Sequence, residues 1–258
     1  MKKNVRFRSE RLAAGTAFCA VLAFMATMAP VAAQDKSPGS GRGVFVEGHF
    51  AGNFVDAHDL TFINPVGAAV TLSQRRGNEI VLENEDSTDE SLGAKAGVGY
   101  KFGNNVFARG TYSYIDSMTV EGFARFAGGN FRQDLEFKAH TVMAEIGYSH
   151  PLSKSFFLEG HAGVGLSIID AKGFQGKNLN DDNYFPGETR TNPAFGAGIG
   201  VGYRISDAVS VLLSGDYTYL GRVSTDRTKG TEGGINPSEQ LTADLSLWRA
   251  MIGLRYGF

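Results

Sequence analysis

Ser91-Leu-Gly-Ala-Lys-Ala-Gly-Val-Gly-Tyr-Lys-Phe102, then Gly103-Asn-Asn105, then Val106-Phe-Ala-Arg-Gly-Thr-Tyr-Ser-Tyr-Ile-Asp116, is the stretch that decides the fold. Leu92, Ala94, Ala96, Val98, Tyr100 and Phe102 occupy every second position, and Asn104-Asn105 is a tight turn. Strict period-2 alternation places one apolar face on each of two β-strands. Each run is long enough for a tilted strand to cross a bilayer, which takes roughly 9–11 residues.

The pattern repeats along the chain. Eight such segments are read at 43–55, 91–102, 105–116, 137–150, 155–168, 193–205, 208–221 and 243–258. Tight turns at Asn104-Asn105, Pro151 to Lys154 and Ser206-Asp207 alternate with long polar stretches at 56–90, 117–136, 169–192 and 222–242. Short turns on one side and long loops on the other are the pattern of a bacterial outer-membrane barrel. The expected fold is all-β: an eight-stranded antiparallel transmembrane up-and-down β-barrel over residues 43–258.

Bulk composition alone looks like that of a soluble protein, with 42% hydrophobic residues and a mean hydropathy of -0.15. One segment, Leu12 to Gln34, is long, apolar and uncharged. It follows Lys2, Lys3, Arg6, Arg8 and Arg11 and ends with Val31 and Ala33 in the -3 and -1 positions, so residues 1–33 are expected to be a secretory signal peptide. Phe18 before Cys19 does not fit a lipoprotein signal, and Arg8 and Arg11 are not adjacent as a twin-arginine signal needs. Residues 34–42 read as a Ser/Gly/Pro-rich linker.

Cleavage after Ala33 removes the one cysteine, which excludes a thiolate nucleophile or a Cys-ligated metal from the mature chain. It also removes five of the 25 Lys+Arg, leaving a mildly acidic product with no nucleic-acid footprint.

The outward parity is even in segments one to five and eight, and odd in six and seven. In the last segment it selects Trp248, Ala250, Ile252, Leu254, Tyr256 and Phe258. Eight of the nine tyrosines fall on this apolar face, at two heights. Tyr100, Tyr148, Tyr203 and Tyr256 lie near the periplasmic turns, and Tyr112, Tyr114, Tyr217 and Tyr219 lie six to ten residues in. With Trp248 they form the expected aromatic girdles, ring in the lipid and hydroxyl in the headgroups.

The opposite face carries Gly196, Gly198, Gly200 and Gly202 and an unusual set of charges: Glu47, Lys95, Arg109, Glu145, Glu159, Asp216 and Arg249, with His49 and His161. Charges at membrane depth must face inward and pair. Strand adjacency predicts Glu47 beside Lys95 and, across the closing seam, Arg249. It also predicts Arg109 beside Glu145, Glu145 beside Glu159, and Asp216 beside Arg249. The set is read as a barrel-interior polar network. The alternatives are a gated pore, or a cation site on Glu47-Gly48-His49 and Glu159-Gly160-His161 facing each other across the barrel. No catalytic, cofactor or metal residues are expected.

Gly43-Val-Phe-Val-Glu-Gly-His-Phe-Ala-Gly-Asn53 resembles the first strand of the opacity/OmpA-like small outer-membrane barrels. Glu159-Gly-His-Ala-Gly-Val-Gly-Leu-Ser167, Phe195-Gly-Ala-Gly-Ile-Gly-Val-Gly-Tyr-Arg204 and Asp216-Tyr-Thr-Tyr219 resemble later strands of that family. The ending, with Tyr256 and terminal Phe258, resembles the signal read by the barrel-assembly machinery. The resemblance implies residence in the cell outer membrane and partnership with outer-membrane lipid, lipopolysaccharide and the assembly machinery. It brings no cofactor, and the expected state is a monomer. Because the chain stops at Phe258, the peptidoglycan-binding domain of full OmpA-type proteins is expected to be lacking.

Function is expected in the outer loops, through a host or surface ligand, as a structural or adhesive role. Within the first loop, Gln74 to Asn78 reads as a hairpin turn, followed by the acidic Glu83-Asn-Glu-Asp86. The second holds Phe123, Arg125, Phe126, Phe131 and Arg132. A small porin-like channel is the alternative. A lipid-modifying enzyme is disfavoured, because His150 and Ser153 have no acid in reach.

Overall fold

The computed structural model describes residues 42–63, 75–76, 79–81, 83–86, 90–126, 129–176, 183–227 and 239–258. The expected signal peptide and most of the linker lie outside the described residues. Eight long strands are present: β1 (Gly43–Ile63), β5 (Glu90–Lys101), β6 (Val106–Phe126), β7 (Gly129–Pro151), β8 (Phe156–Gly176), β9 (Asn183–Arg204), β10 (Val209–Ser224) and β11 (Gln240–Gly257). Three short ones, β2 (Arg75–Arg76), β3 (Glu79–Val81) and β4 (Glu83–Asp86), fall in the first connection.

The long strands pair antiparallel in chain order, and β11 returns to pair with β1 from Phe45↔Gly257 to Ile63↔Gln240. That pairing closes the barrel and removes both sheet edges. The tight turns sit where the sequence places them. Phe102 N donates to Val106 O across Gly103–Asn105, and Asn105 takes a positive φ of 65°. Asparagine tolerates that conformation better than most residues. At the other two turns Ser153 and Ser206 accept backbone N–H bonds through their hydroxyls.

Through the membrane the parity holds on all eight strands. Leu92 (82% exposed), Ile199 and Ile146 stand outward, whereas Glu47, Lys95 and Asp216 are buried. The apolar band has an upper edge, where Phe54, Tyr114, Ile168, Phe195, Tyr219 and Trp248 are its last large outward side chains. Tyr217 packs on Trp248 and Phe195 on Tyr219, each at 4.8 Å between ring centroids.

Above that edge the strands do not give way to loops. The described parts of the stretches read as loops at 56–90, 117–136, 169–192 and 222–242 continue the barrel walls, and β6 and β7 stay paired up to Phe126↔Gly129. Here the polarity of the wall inverts. The outer surface bears Asp56, Asp116, Lys138, Asp170, Arg222 and Asp244, with ion pairs such as Lys172–Glu136 at 3.0 Å. The inner surface is a buried apolar core of Val55, Leu60, Ile115, Met118, Val120, Leu135, Phe137, Ile169, Phe185, Leu220, Leu241, Leu245 and their neighbours. Lipid therefore surrounds the lower barrel, and water surrounds an upper storey that is packed like a soluble protein.

Register irregularities accompany the inversion. They fall between Ile115 and Met118 on β6, Tyr219 and Gly221 on β10, Ala171 and Gly173 on β8, and His58 and Thr61 on β1. In β6 the inward set passes from odd positions (Arg109 to Ile115) to even ones (Met118, Val120). An extra residue in one strand does this, because one step of slip exchanges the two faces. Gly221, at φ +90°, supplies the backbone that such a bulge needs on β10.

The first connection contains a small hairpin, with β2 paired to β3 through Arg76↔Glu79 around residues 77–78, close to the turn read from sequence. Residues 69–72, which precede that turn in the sequence, lie outside the described residues. The acidic Glu83–Asp86 segment forms β4 and pairs with β6.

Candidate functional site: a sealed lumen

The interior is built in three layers. Nearest the periplasm, Phe45, Phe107 and Phe157 are buried, with Phe45 and Phe107 edge-to-face at 6.0 Å and 82°. Each ring occupies space left by a glycine. A Cβ at Gly99, Gly147 or Gly202 would lie 2.3, 2.3 or 2.0 Å from the ring Cζ of Phe45, Phe107 or Phe157. Gly202→Leu is accordingly expected to destabilise the barrel by at least about 1–3 kcal/mol through overpacking. The midpoint of urea unfolding in liposomes would show it.

The middle layer is ionic. Glu159 binds Arg255 in a two-pronged contact at 2.5 and 2.9 Å, and Arg255 reaches Glu47 at 2.6 Å. Glu47 meets Arg109 at 2.6 Å, Arg109 meets Glu145 at 2.6 Å, and Glu145 meets Lys95 at 2.9 Å. Lys95 meets Asp216 at 2.8 Å, and Arg249 stands 3.6 Å from Asp216. Four carboxylates and four cations thus alternate in one unbroken chain with no net charge. Thr111 donates to Glu145 at 3.0 Å, and Arg249 donates to Thr218 at 2.9 Å, meeting further hydrogen-bonding capacity. Bidentate and charge-assisted bonds of this kind are the strong ones.

Seven of the eight long strands contribute to the chain. β9 contributes its glycine wall instead: a Cβ at Gly198 would fall 2.2 Å from Asp216 Oδ1 and 2.6 Å from His161 Cε1. Gly198 is therefore the space over which Asp216 and His161, its neighbours on the two flanking strands, lean into the lumen.

The expected pairings Arg109–Glu145 and Asp216–Arg249 are strand neighbours. The others are corrected. Glu47 faces Gly97 rather than Lys95, which sits opposite His49, and across the seam it meets Arg255 rather than Arg249, which sits opposite Asn53. Glu159 lies opposite Ser149 and bonds across the lumen to Arg255 rather than beside Glu145. His49 lies 3.5 Å from Glu47, and His161 lies 3.3 Å from Asp216 and 3.7 Å from Glu145, so each histidine joins the ionic layer separately.

Arg255 was missed by the sequence reading. Its odd position in β11, shared with Arg249, is the signal that identifies it as inward. It also stacks over the Phe45 ring at 4.5 Å, tying the ionic layer to the aromatic floor.

The third layer is the apolar core of the upper storey, which caps the charges. On the outer surface Tyr100, Tyr112, Tyr148, Tyr203 and Trp248 are exposed, with Tyr114, Tyr217 and Tyr219 half-buried. Tyr256 packs on Phe258 at 4.9 Å, and Phe258 N donates to Val44 O, pinning the last residues to β1. His150 is exposed and stacked on Tyr148, while the Ser153 hydroxyl accepts the turn's N–H bonds.

A closed eight-stranded barrel, apolar outside, girdled by aromatics and charged within, defines an outer-membrane β-barrel protein. Residues 17–247 match the outer membrane protein beta-barrel domain, and the chain belongs to that family and to the outer membrane.

Among solved structures it is similar to OprG of Pseudomonas aeruginosa (15% identity, 84% of this chain and 96% of that one, TM-score 0.51). It is also similar to Neisserial surface protein A (14%, 84% and 99%, TM-score 0.44). The attachment invasion locus protein Ail of Yersinia pestis, solved with the heparin analogue sucrose octasulfate, gives 15%, 84% and 99%, with a TM-score of 0.42. These identities speak to fold alone. No curated protein matches the sequence.

Proposed function

We propose that this protein is a non-conducting surface barrel whose role is structural or adhesive, exercised at the raised upper storey. The observation that carries the reading is the sealed interior. A neutral ionic chain crosses the lumen, and the buried apolar core from Val55 to Leu247 lies above it. An ion entering the lumen would have to leave water for that apolar core, at a cost of many kcal/mol. The storey itself is rigid β-structure with paired charges on its outer surface, a platform suited to presenting the connections at its rim. Arg132, bonded to Asp134 at 2.7 Å and to Glu121, lies on that platform.

A binding role rather than catalysis is supported by the spent Ser153 hydroxyl and by carboxylates that are already engaged by cations. Outer-leaflet lipopolysaccharide would contact the wall at the aromatic edge, and a host or surface ligand would meet the rim. Folding through the barrel-assembly machinery with Tyr256 and Phe258 as its signal, and a monomeric state, belong to the same proposal.

Recordings from planar bilayers are expected to show no discrete conductance steps. Reproducible steps from purified protein would overturn the sealed-scaffold reading. Displayed on a non-adherent bacterium, the protein is expected to increase attachment to a host-cell or matrix surface.

A further inference from the structure

Where the ionic chain gives way to the apolar core, the lumen is lined by a polar belt. On six strands the inward residue two positions below the first member of that core is polar: Asn53, Ser113, Thr141, Ser167, Thr218 and Arg249. All are buried, none more than 5% exposed. Five of the six are short side chains. An eight-stranded interior is just wide enough for side chains to fill it, and short ones reach less far across it.

Part of the belt is satisfied from within. The Ser167 hydroxyl donates to Leu220 O, Asn53 Nδ2 donates to Ser91 O at 3.3 Å, and Arg249 donates to Thr218 at 2.9 Å. Three enclosed atoms have no hydrogen-bond partner among the described residues: Arg249 Nε, Asn53 Oδ1 and Thr141 Oγ1. Asn53 and Arg249 are register partners on β1 and β11, and side chains so paired lie close enough for one water to bridge. Thr141 stands between its register partners Ser113 and Ser167. Arg249 is also the cation that the carboxylates serve least, 3.6 Å from Asp216, where the other links of the chain lie at 2.5 to 2.9 Å. A buried donor or acceptor left unpaired costs more than an ordinary hydrogen bond gains, which is why such atoms are nearly always paired.

We propose that this belt is a binding site for ordered water. One molecule accepts from Arg249 Nε–H and donates to Asn53 Oδ1, and another bonds the Thr141 hydroxyl. Buried water is held where it meets several such polar groups at once, and apolar enclosures stay dry. A small anion fits less well, because the ionic chain is already neutral and the added charge would be buried near Asp216 with no counter-ion of its own. The water solvates the guanidinium inside the barrel, with the ionic layer beneath it and the apolar core above slowing its escape.

The test uses the full barrel in lipid nanodiscs with isotope-labelled arginine, and reads magnetisation transfer from water to the Arg249 Nε–H. A cross-peak with the sign of slowly exchanging water is expected. Its absence would overturn the site. A resonance that moves when chloride is exchanged for sulfate would assign the position to an anion and overturn it as well.

Thr141→Val gives the second reading. It keeps the shape and removes the hydroxyl, so it relieves an unpartnered group but costs a water-bound one. The urea midpoint in liposomes is expected to fall by about 0.5 M, one net hydrogen bond at an ordinary denaturant slope. An unchanged or raised midpoint would overturn water binding at Thr141. The proposed seal matters to this site only through slow exchange. Conductance steps would report loss of the seal, whereas a missing water site shows at Arg249 and Thr141, so the two readings fall separately.

Discussion

Glu47→Ala is expected to destabilise the barrel by about 3–5 kcal/mol, the range for breaking a buried ion pair by deleting one partner. Glu47 is 0% exposed and is the one carboxylate bonded to both Arg109 and Arg255. Its loss splits the ionic chain and leaves Arg109 with Glu145 and Arg255 with Glu159, one carboxylate each. Unfolding by urea in liposomes, followed by the heat-dependent shift of the compact form on SDS gels, gives the measurement. Adding Arg109→Met to Glu47→Ala should restore part of the loss, because it removes the cation left in excess while Glu145 keeps Lys95 and Glu159 keeps Arg255. A change below about 1 kcal/mol in the single variant would contradict the alternating chain.

Phe137→Ala should act elsewhere and differently. Phe137 is 1% exposed in the core of the upper storey, and truncating a buried Phe costs about 3–5 kcal/mol. The lower barrel, held by its own ionic layer and by lipid, should persist. Proteinase K is therefore expected to cut the upper parts of β6 and β7 in intact proteoliposomes, while the trimmed barrel keeps its heat-dependent gel shift. Amide exchange should accelerate above Ile115 and stay slow below it. Val142→Ala, on the lipid face of the same strand, serves as the control with little effect. Cooperative loss of the whole barrel in Phe137→Ala would show that the two storeys unfold as one unit.

The lower barrel was legible because the bilayer imposes one rule over its whole height: apolar outward, every second residue. That rule yields the parity of all eight strands and the tight turns at Asn104-Asn105, Pro151 to Lys154 and Ser206-Asp207. The upper storey escaped because it obeys the opposite rule, and irregularities such as that between Ile115 and Met118 interrupt the alternation at the changeover. Asp116-Ser-Met-Thr-Val-Glu121 looks like polar loop when read against the membrane parity, yet Met118 and Val120 are core.

The candidate site was legible residue by residue but not in its wiring. Sequence adjacency supplies neighbours along the wall, whereas contacts such as Lys95–Asp216 join β5 to β10 across the lumen. Those bridges depend on how far side chains reach across the lumen, which no pattern of alternation records. Arg255 was overshadowed by its place beside Tyr256 and the aromatic ending, although its parity matched that of Arg249.

The inverted wall also gives the molecule two different relations to temperature. In the upper storey apolar side chains leave water on folding, so its stability carries the positive heat-capacity change of a soluble domain and weakens on cooling as well as on heating. In the band below, the same kinds of side chain remain in contact with hydrocarbon, and that term is largely missing. One continuous sheet thus joins a part governed by water to a part governed by lipid. Cold loosens the end that faces the outside world first, while the end embedded in the membrane holds.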